Sequence, residues 1–257
     1  MERLMFVFII SACCLSACKS PVKEQNDKIY SRHLQRHIEL TVVTTPMPDK
    51  KEEMNLLLFN NKDFYDEVRA KKIIDSLYRK KMIQPLTMVA YKGETADYGF
   101  EEIGGEKGNQ YLKFNEFVTD ELYPFAKKKV VIRKFNSVAI CGFASSALSA
   151  FDIAFNHDGK IRAAGMFYPL YSANLQSTDT SVFQTIRSLR ERPKIKIWLL
   201  ADEGDSNSVK LKNIIYEKPG IAECEMVTLP RVKNNNRLKI ADQGFAAFLI
   251  WAFPYLY

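Results

Sequence analysis

The chain alternates between short apolar runs and longer stretches in which apolar residues recur at helical spacing. Residues 37–46, HIELTVVTTP, are rich in β-branched side chains and predict a strand. In 50–61, KKEEMNLLLFNN, the continuous apolar run from Met54 to Phe59 predicts a strand buried on both faces. Residues 63–83 space Val68, Ile73, Ile74 and Leu77 as one side of a helix, and 85–93, PLTMVAYKG, return to a strand pattern. A helix over 114–128 would carry Phe114, Phe117, Leu122 and Phe125 on its apolar side. The segment 137–155, SVAICGFASSALSAFDIAF, opens as an apolar run to Gly142 and continues as a helix of small and apolar residues. Strand-like stretches follow at 160–172 and 194–206, and a last helix starts at about Ile240. Strands alternating with helices predict a single α/β domain, a mainly parallel central sheet flanked by helices.

Ahead of this pattern stands MERLMFVFIISACCLSA, a basic residue followed by an apolar stretch and small residues. That is the layout of a secretory leader. Its apolar run, Leu4 to Ala17, is 14 residues long, short of the roughly 20 needed to span a bilayer. Leu15-Ser16-Ala17-Cys18 resembles the lipobox of bacterial lipoproteins, which implies cleavage after residue 17 and lipidation of Cys18. Residues 18–28 are polar and contain a proline, so they read as a tether, with the folded domain over 29–257. The expected location is the bacterial cell envelope, periplasm-facing or on the cell surface, with the membrane as partner through the lipid.

Charge and cysteine content narrow the field further. The net charge is +7, spread over basic runs at 79–81, 127–134, 187–196 and 231–239 that lie between apolar segments. This predicts a solvated basic surface able to attract anionic lipid or polysaccharide, and no nucleic-acid motif accompanies it. Beyond the leader and Cys18 only Cys141 and Cys224 remain, which make neither a disulfide framework nor a zinc site. Both read as buried small apolar residues. No cofactor is implied.

A sharp strand-to-helix turn is where α/β-hydrolases place a nucleophilic serine in the pattern G-x-S-x-G. Here the turn reads Gly142-Phe143-Ala144-Ser145-Ser146. With MNLLLFNNKDFYDE, FNEFVTDELYPFAKKK and SVAICGFASSALSAFDIAFNHDGKIRAAGMFYPLYS in order, the chain from about Tyr30 onward resembles the esterase branch of the α/β-hydrolases. That branch includes esterase D, enterochelin esterases and feruloyl esterases. The resemblance implies an α/β-hydrolase fold and a serine–histidine–acid triad.

Mapped onto this chain, the serine position falls on Ala144, the acid on Asp205 with Asp202 second, and the histidine loop on Asn234, Asn235 and Asn236. His33, His37 and His157 are the chain's histidines. His33 and His37 sit four residues apart, too distant to share a metal on a strand but able to chelate on a helix. His157 is expected at the C-terminus of the helix that follows Ala144. The expectation from this mapping is an inactive homologue, since loss of the nucleophile or base of such an enzyme costs about 10⁶-fold in turnover. The Ser145 N–H and a second group near Asn60 would remain as an oxyanion-hole-like site. The protein would then act in binding or scaffolding, for a carbohydrate ester or a siderophore-like ligand. The alternative is an active carboxylic-ester hydrolase with a displaced serine, such as Ser145 paired with His33 or His37. A third reading is a structural partner in an envelope complex without a ligand pocket.

Overall fold

The apolar run around Leu56 forms β3 (Asn55–Asn60), and all six of its residues are buried. In this computed structural model, which describes residues 20–94, 97, 112–171, 194–217, 224–229 and 237–255, β3 lies inside an eight-stranded sheet. β1 (Lys23–Ser31) and β2 (Arg36–Thr44) form an antiparallel hairpin at one edge. β2 pairs antiparallel with β4 (Leu86–Tyr91), and β4 pairs parallel with β3. From β3 the parallel ladder continues through β5 (Val138–Phe143), β6 (Ala163–Phe167), β7 (Lys196–Asp202) and β8 (Cys224–Leu229). The order across the sheet is β1-β2-β4-β3-β5-β6-β7-β8. This is a single-domain α/β-hydrolase fold with a mixed, mostly parallel sheet, as expected.

Alternate side chains of a strand point to opposite faces, and β3 divides its apolar residues accordingly. Leu57 and Phe59 face α1 (Lys62–Glu67), α2 (Ala70–Arg79) and α6 (Arg237–Ala252), packing with Phe64, Ile74, Phe245 and Phe248. Leu56 and Leu58 face the other layer, α3 (Tyr123–Val130), α4 (Ser145–Asn156) and α5 (Ser206–Tyr216). Ala126, Phe151, Leu211 and Ile214 fill that side. The two clusters draw on residues from Val22 to Phe253.

Three local expectations change. The single helix over 63–83 is two, because Arg69 takes a left-handed conformation (φ 51°, ψ 44°) between α1 and α2. The helix over 114–128 contains a wide π turn at Phe117–Leu122, just ahead of Pro124, whose nitrogen has no hydrogen to give the preceding turn. The polar tether over 18–28 is also shorter than expected. Lys23 to Lys28 belong to β1, each residue in register with one of β2 from Thr44 to Glu39. An exposed edge strand has no apolar run to announce it.

Candidate active site

Parallel strands point their C-terminal ends to one edge of the sheet, and ligands of open α/β sheets bind there, where the strand order reverses. Here that place lies between β3 and β5, since the chain passes from β3 outward to β4 and then returns to β5 on the other side. β5 runs into α4 through a turn whose geometry is set by one glycine. A Cβ on Gly142 would stand 2.2 Å from the Ser146 carbonyl oxygen, so only glycine permits this close approach of strand and helix. Ala144 takes the turn itself with φ 54° and ψ −120°, a strained conformation for a residue with a Cβ. Its N–H donates to the Phe167 carbonyl at 2.9 Å and its carbonyl accepts from Ala147 at 3.1 Å, which hold the turn in place.

Two serines follow. Ser146 is buried, and its Oγ accepts from the Phe143 N–H at 2.9 Å. The same oxygen lies 2.7 Å from the Asn60 carbonyl and 2.8 Å from the Phe143 carbonyl, which share its single proton. Ser145 is exposed and lines a cleft of about 670 Å³. The opposite wall of that cleft comes from the start of β2, with His37 and Glu39, and Asp63 and Lys92 also line it. β2 reaches this edge because it is antiparallel to β4, which sets Leu40 opposite Tyr91 at the C-terminal end of β4.

A family model described as "Putative esterase" matches residues 31–216. The chain belongs to that family. No curated protein sequence matches it. Among solved structures, this esterase-family chain is similar to a ferulic acid esterase, at 13% identity and a TM-score of 0.71, over 90% of this chain and 98% of that one. It is similar to the enterochelin esterase of Shigella flexneri at 14% identity and a TM-score of 0.69, covering 91% of this chain and 58% of that one. An S-formylglutathione hydrolase from Agrobacterium tumefaciens gives 10% identity and a TM-score of 0.69, over 91% and 95% of the two chains. These likenesses establish the shared fold.

The expectation of an alanine-substituted, inactivated elbow is corrected, and with it the classification as a pseudoenzyme. A serine, Ser146, stands at the β5–α4 junction where this family places its nucleophile elbow. Counting two residues on from Gly142 selects Ala144. The first helical turn, however, brings Ser146 back against Phe143 and the end of β3. His37 lines the cleft on the wall opposite Ser145.

The other expected site residues are dispersed. Asp205 caps α5, accepting from the N–H groups of Asn207 and Ser208 at 3.1 and 3.4 Å and from the Ser208 hydroxyl at 2.7 Å. That hydroxyl also meets the Tyr171 phenol at 2.9 Å, and burial pushes the phenol's pKa well up. Asp205 follows β7, five places from β2 across the sheet, or about 24 Å at the usual strand spacing. It is therefore not placed to orient His37. Asp202 ends β7. Asn60 is buried, with its amide nitrogen 3.4 Å from the Ser149 hydroxyl, and the neighbouring Asn61 is the one lining the cleft. His33 lies 3.0 Å from a Glu116 carboxylate oxygen, and His157 stands at the C-terminal cap of α4. Asn234, Asn235, Asn236 and Cys18 lie outside the described residues. Among the described residues no His, Cys, Asp and Glu cluster suits a metal ion, and no helix is long and apolar enough to cross a membrane.

Proposed function

We propose that the protein is a carboxylic-ester hydrolase whose nucleophile is a serine of the β5–α4 elbow, Ser145 being the one with access to substrate. The observation that carries this reading is that Ser145 and His37 line the same cleft at the C-terminal edge of the sheet. In the reaction the Ser145 oxygen attacks the ester carbonyl while His37 takes its proton. The same imidazolium then returns the proton to the departing alcohol, and water releases the acyl group by the reverse sequence. The Ser145 N–H, at the start of α4, has no acceptor within the helix and is offered to the carbonyl oxygen as it gains charge. Glu39 and Asp63, on the cleft wall, are ion-paired with Lys62 and Lys92, and release of either pair would offer a carboxylate to the imidazolium.

β2 and β5 are three places apart in the sheet, about 14 Å between strand axes. Among the described residues Ser145 and His37 share no hydrogen bond, so a bridging water or closure of the β1–β2 hairpin completes the relay on substrate binding. Ser146 then serves as the internal strut of the elbow, its hydroxyl tied to Asn60 and Phe143. The family resemblance suggests a carbohydrate ester or a siderophore-like ester as the substrate class. We place the enzyme at the cell envelope through lipid on Cys18.

Hydrolysis of short acyl and feruloyl esters by the body from residue 19 onward tests the reading. Ser145→Ala and His37→Gln are expected to lower kcat by about 10³-fold or more. Equal turnover by wild type and both variants would overturn the assignment of these residues, and no turnover by wild type on any ester would overturn the activity.

A further inference from the structure

All strands of a parallel ladder begin on one edge, so the connections that enter them share a face of the molecule. Here that face lies opposite the cleft and carries exposed basic pairs in succession. Lys80 and Lys81 precede β4, Arg133 and Lys134 precede β5, and Lys160 and Arg162, offset in part by Asp158, precede β6. None of these six has an ion-pair partner among the described residues. Ahead of β3 the run Asp49-Lys50-Lys51-Glu52-Glu53 carries one net negative charge, so the basic excess lies ahead of β4, β5 and β6. The cleft edge has no such excess, since Arg36 and Lys92 stand there among Glu39, Asp63 and Glu94.

The same face also presents apolar side chains to solvent. Of the nine large apolar residues exposed among the described ones, Met47, Met82, Val131 and Tyr255 lie here. Val131 is 72% exposed and stands two residues before Arg133. Met82 follows Lys81 directly, and its carbonyl accepts from the Tyr255 N–H. Apolar tips set between cations suit the boundary between headgroups and acyl chains, where the tips enter the apolar layer and the cations meet phosphate.

The N-terminal segment leaves the body at this face. Lys23 pairs with Thr44, and Thr44 pairs with Thr87 near the start of β4. The Ser20 hydroxyl donates to Asp75 of α2, and Asp75 is ion-paired with Arg79, next to Lys80. Val22 is already buried, so few residues separate the body from Cys18 and the apolar leader.

We propose that this edge is a membrane-facing surface that binds the headgroups of anionic phospholipids, holding the body against the bilayer with the cleft turned to the aqueous side. The surface acts with or without ester hydrolysis, and its test reads binding alone. The body from residue 19, without leader or lipid, is sedimented with phosphatidylglycerol-containing vesicles and with vesicles of phosphatidylcholine alone. Binding is expected to the anionic vesicles only and to weaken as salt rises. A surface lysine contributes roughly fivefold to such partitioning, so Lys80→Gln with Lys81→Gln is expected to lower it about 25-fold. Met82→Ser with Val131→Ser is expected to lower it at constant charge. The control is Lys210→Gln with Lys212→Gln on α5, which changes net charge equally away from the face.

An equal loss in the control would reduce the effect to net charge and overturn the proposal. So would an absence of binding to anionic vesicles, or binding to a soluble anionic polysaccharide without binding to vesicles. Unchanged far-ultraviolet circular dichroism for each variant ties any loss to the surface and not to folding.

Discussion

Replacing Gly142 by alanine tests the elbow at its tightest point. The added methyl would lie 2.2 Å from the Ser146 carbonyl oxygen, 2.5 Å from its carbonyl carbon and 2.9 Å from the Ala147 nitrogen. Ordinary non-bonded contact needs about 3.5 Å, so strand and helix must part by more than about 1 Å. All three atoms are main chain of α4, and none can swing aside as a side-chain tip would. Overpacking of a filled core costs about 1–3 kcal/mol, and rigid neighbours put this case at the upper end. Loss of glycine's freedom in the unfolded chain returns about 0.4–1 kcal/mol, leaving a net cost near 2 kcal/mol. At a urea slope of about 2 kcal/mol per molar, the midpoint should fall by about 1 M. Because α4 carries Ser145, ester turnover should fall further than stability does. Urea melts of wild type and variant with coincident midpoints would refute the close approach of strand and helix.

Other perturbations reach different parts of the structure. Ala144→Gly removes the Cβ from a strained turn at φ 54°, and its stability relative to wild type should rise by up to about 1 kcal/mol in the same melts. Cys141 and Cys224 are buried, and burial raises both thiol pKa values, that of Cys224 to about 11. Thiol reagents at neutral pH should therefore label neither until denaturant is added, which a colorimetric thiol assay checks. Burial and the nearby Lys160 lower the pKa of His157 below its usual 6.5, so the folded state holds the ring neutral where the unfolded chain would protonate it. Its contribution is full above about pH 6.5 and is lost as pH falls through that value toward the folded pKa. His157→Gln should flatten this slope in melts taken across that range.

Much of the fold was legible from apolar patterning, and the exceptions have physical causes. β3 and the β5–α4 unit announce themselves because burial on both faces demands continuous apolar runs, and Gly142 marks the turn between them. β1 does not, because a solvated edge strand can be written in Lys, Glu, Gln, Asn and Asp. The break at Arg69 carries no glycine or proline to signal it. In the site, Ser145 is legible from its neighbours in sequence, and His37 is one of two histidines, with His33, that the sequence offers as its partner. Its place in the cleft depends on β2 running antiparallel to β4, a fact of pairing and not of spacing. Ser146 is not picked out by a linear count from Gly142, because a helical turn returns it to Phe143. Asp205 illustrates the reverse case. Its run Asp-Ser-Asn-Ser has the composition of a helix cap, and capping α5 is what it does.

The central claim, a nucleophilic serine at the elbow, is tested most directly by covalent capture. A fluorophosphonate reacts with an activated serine hydroxyl, displacing fluoride and leaving a stable ester whose mass locates the residue. One adduct is expected on the peptide spanning the β5–α4 junction, on Ser145, lost in Ser145→Ala and much slower in His37→Gln. An unlabelled protein, or an adduct on a serine outside that junction, would contradict it.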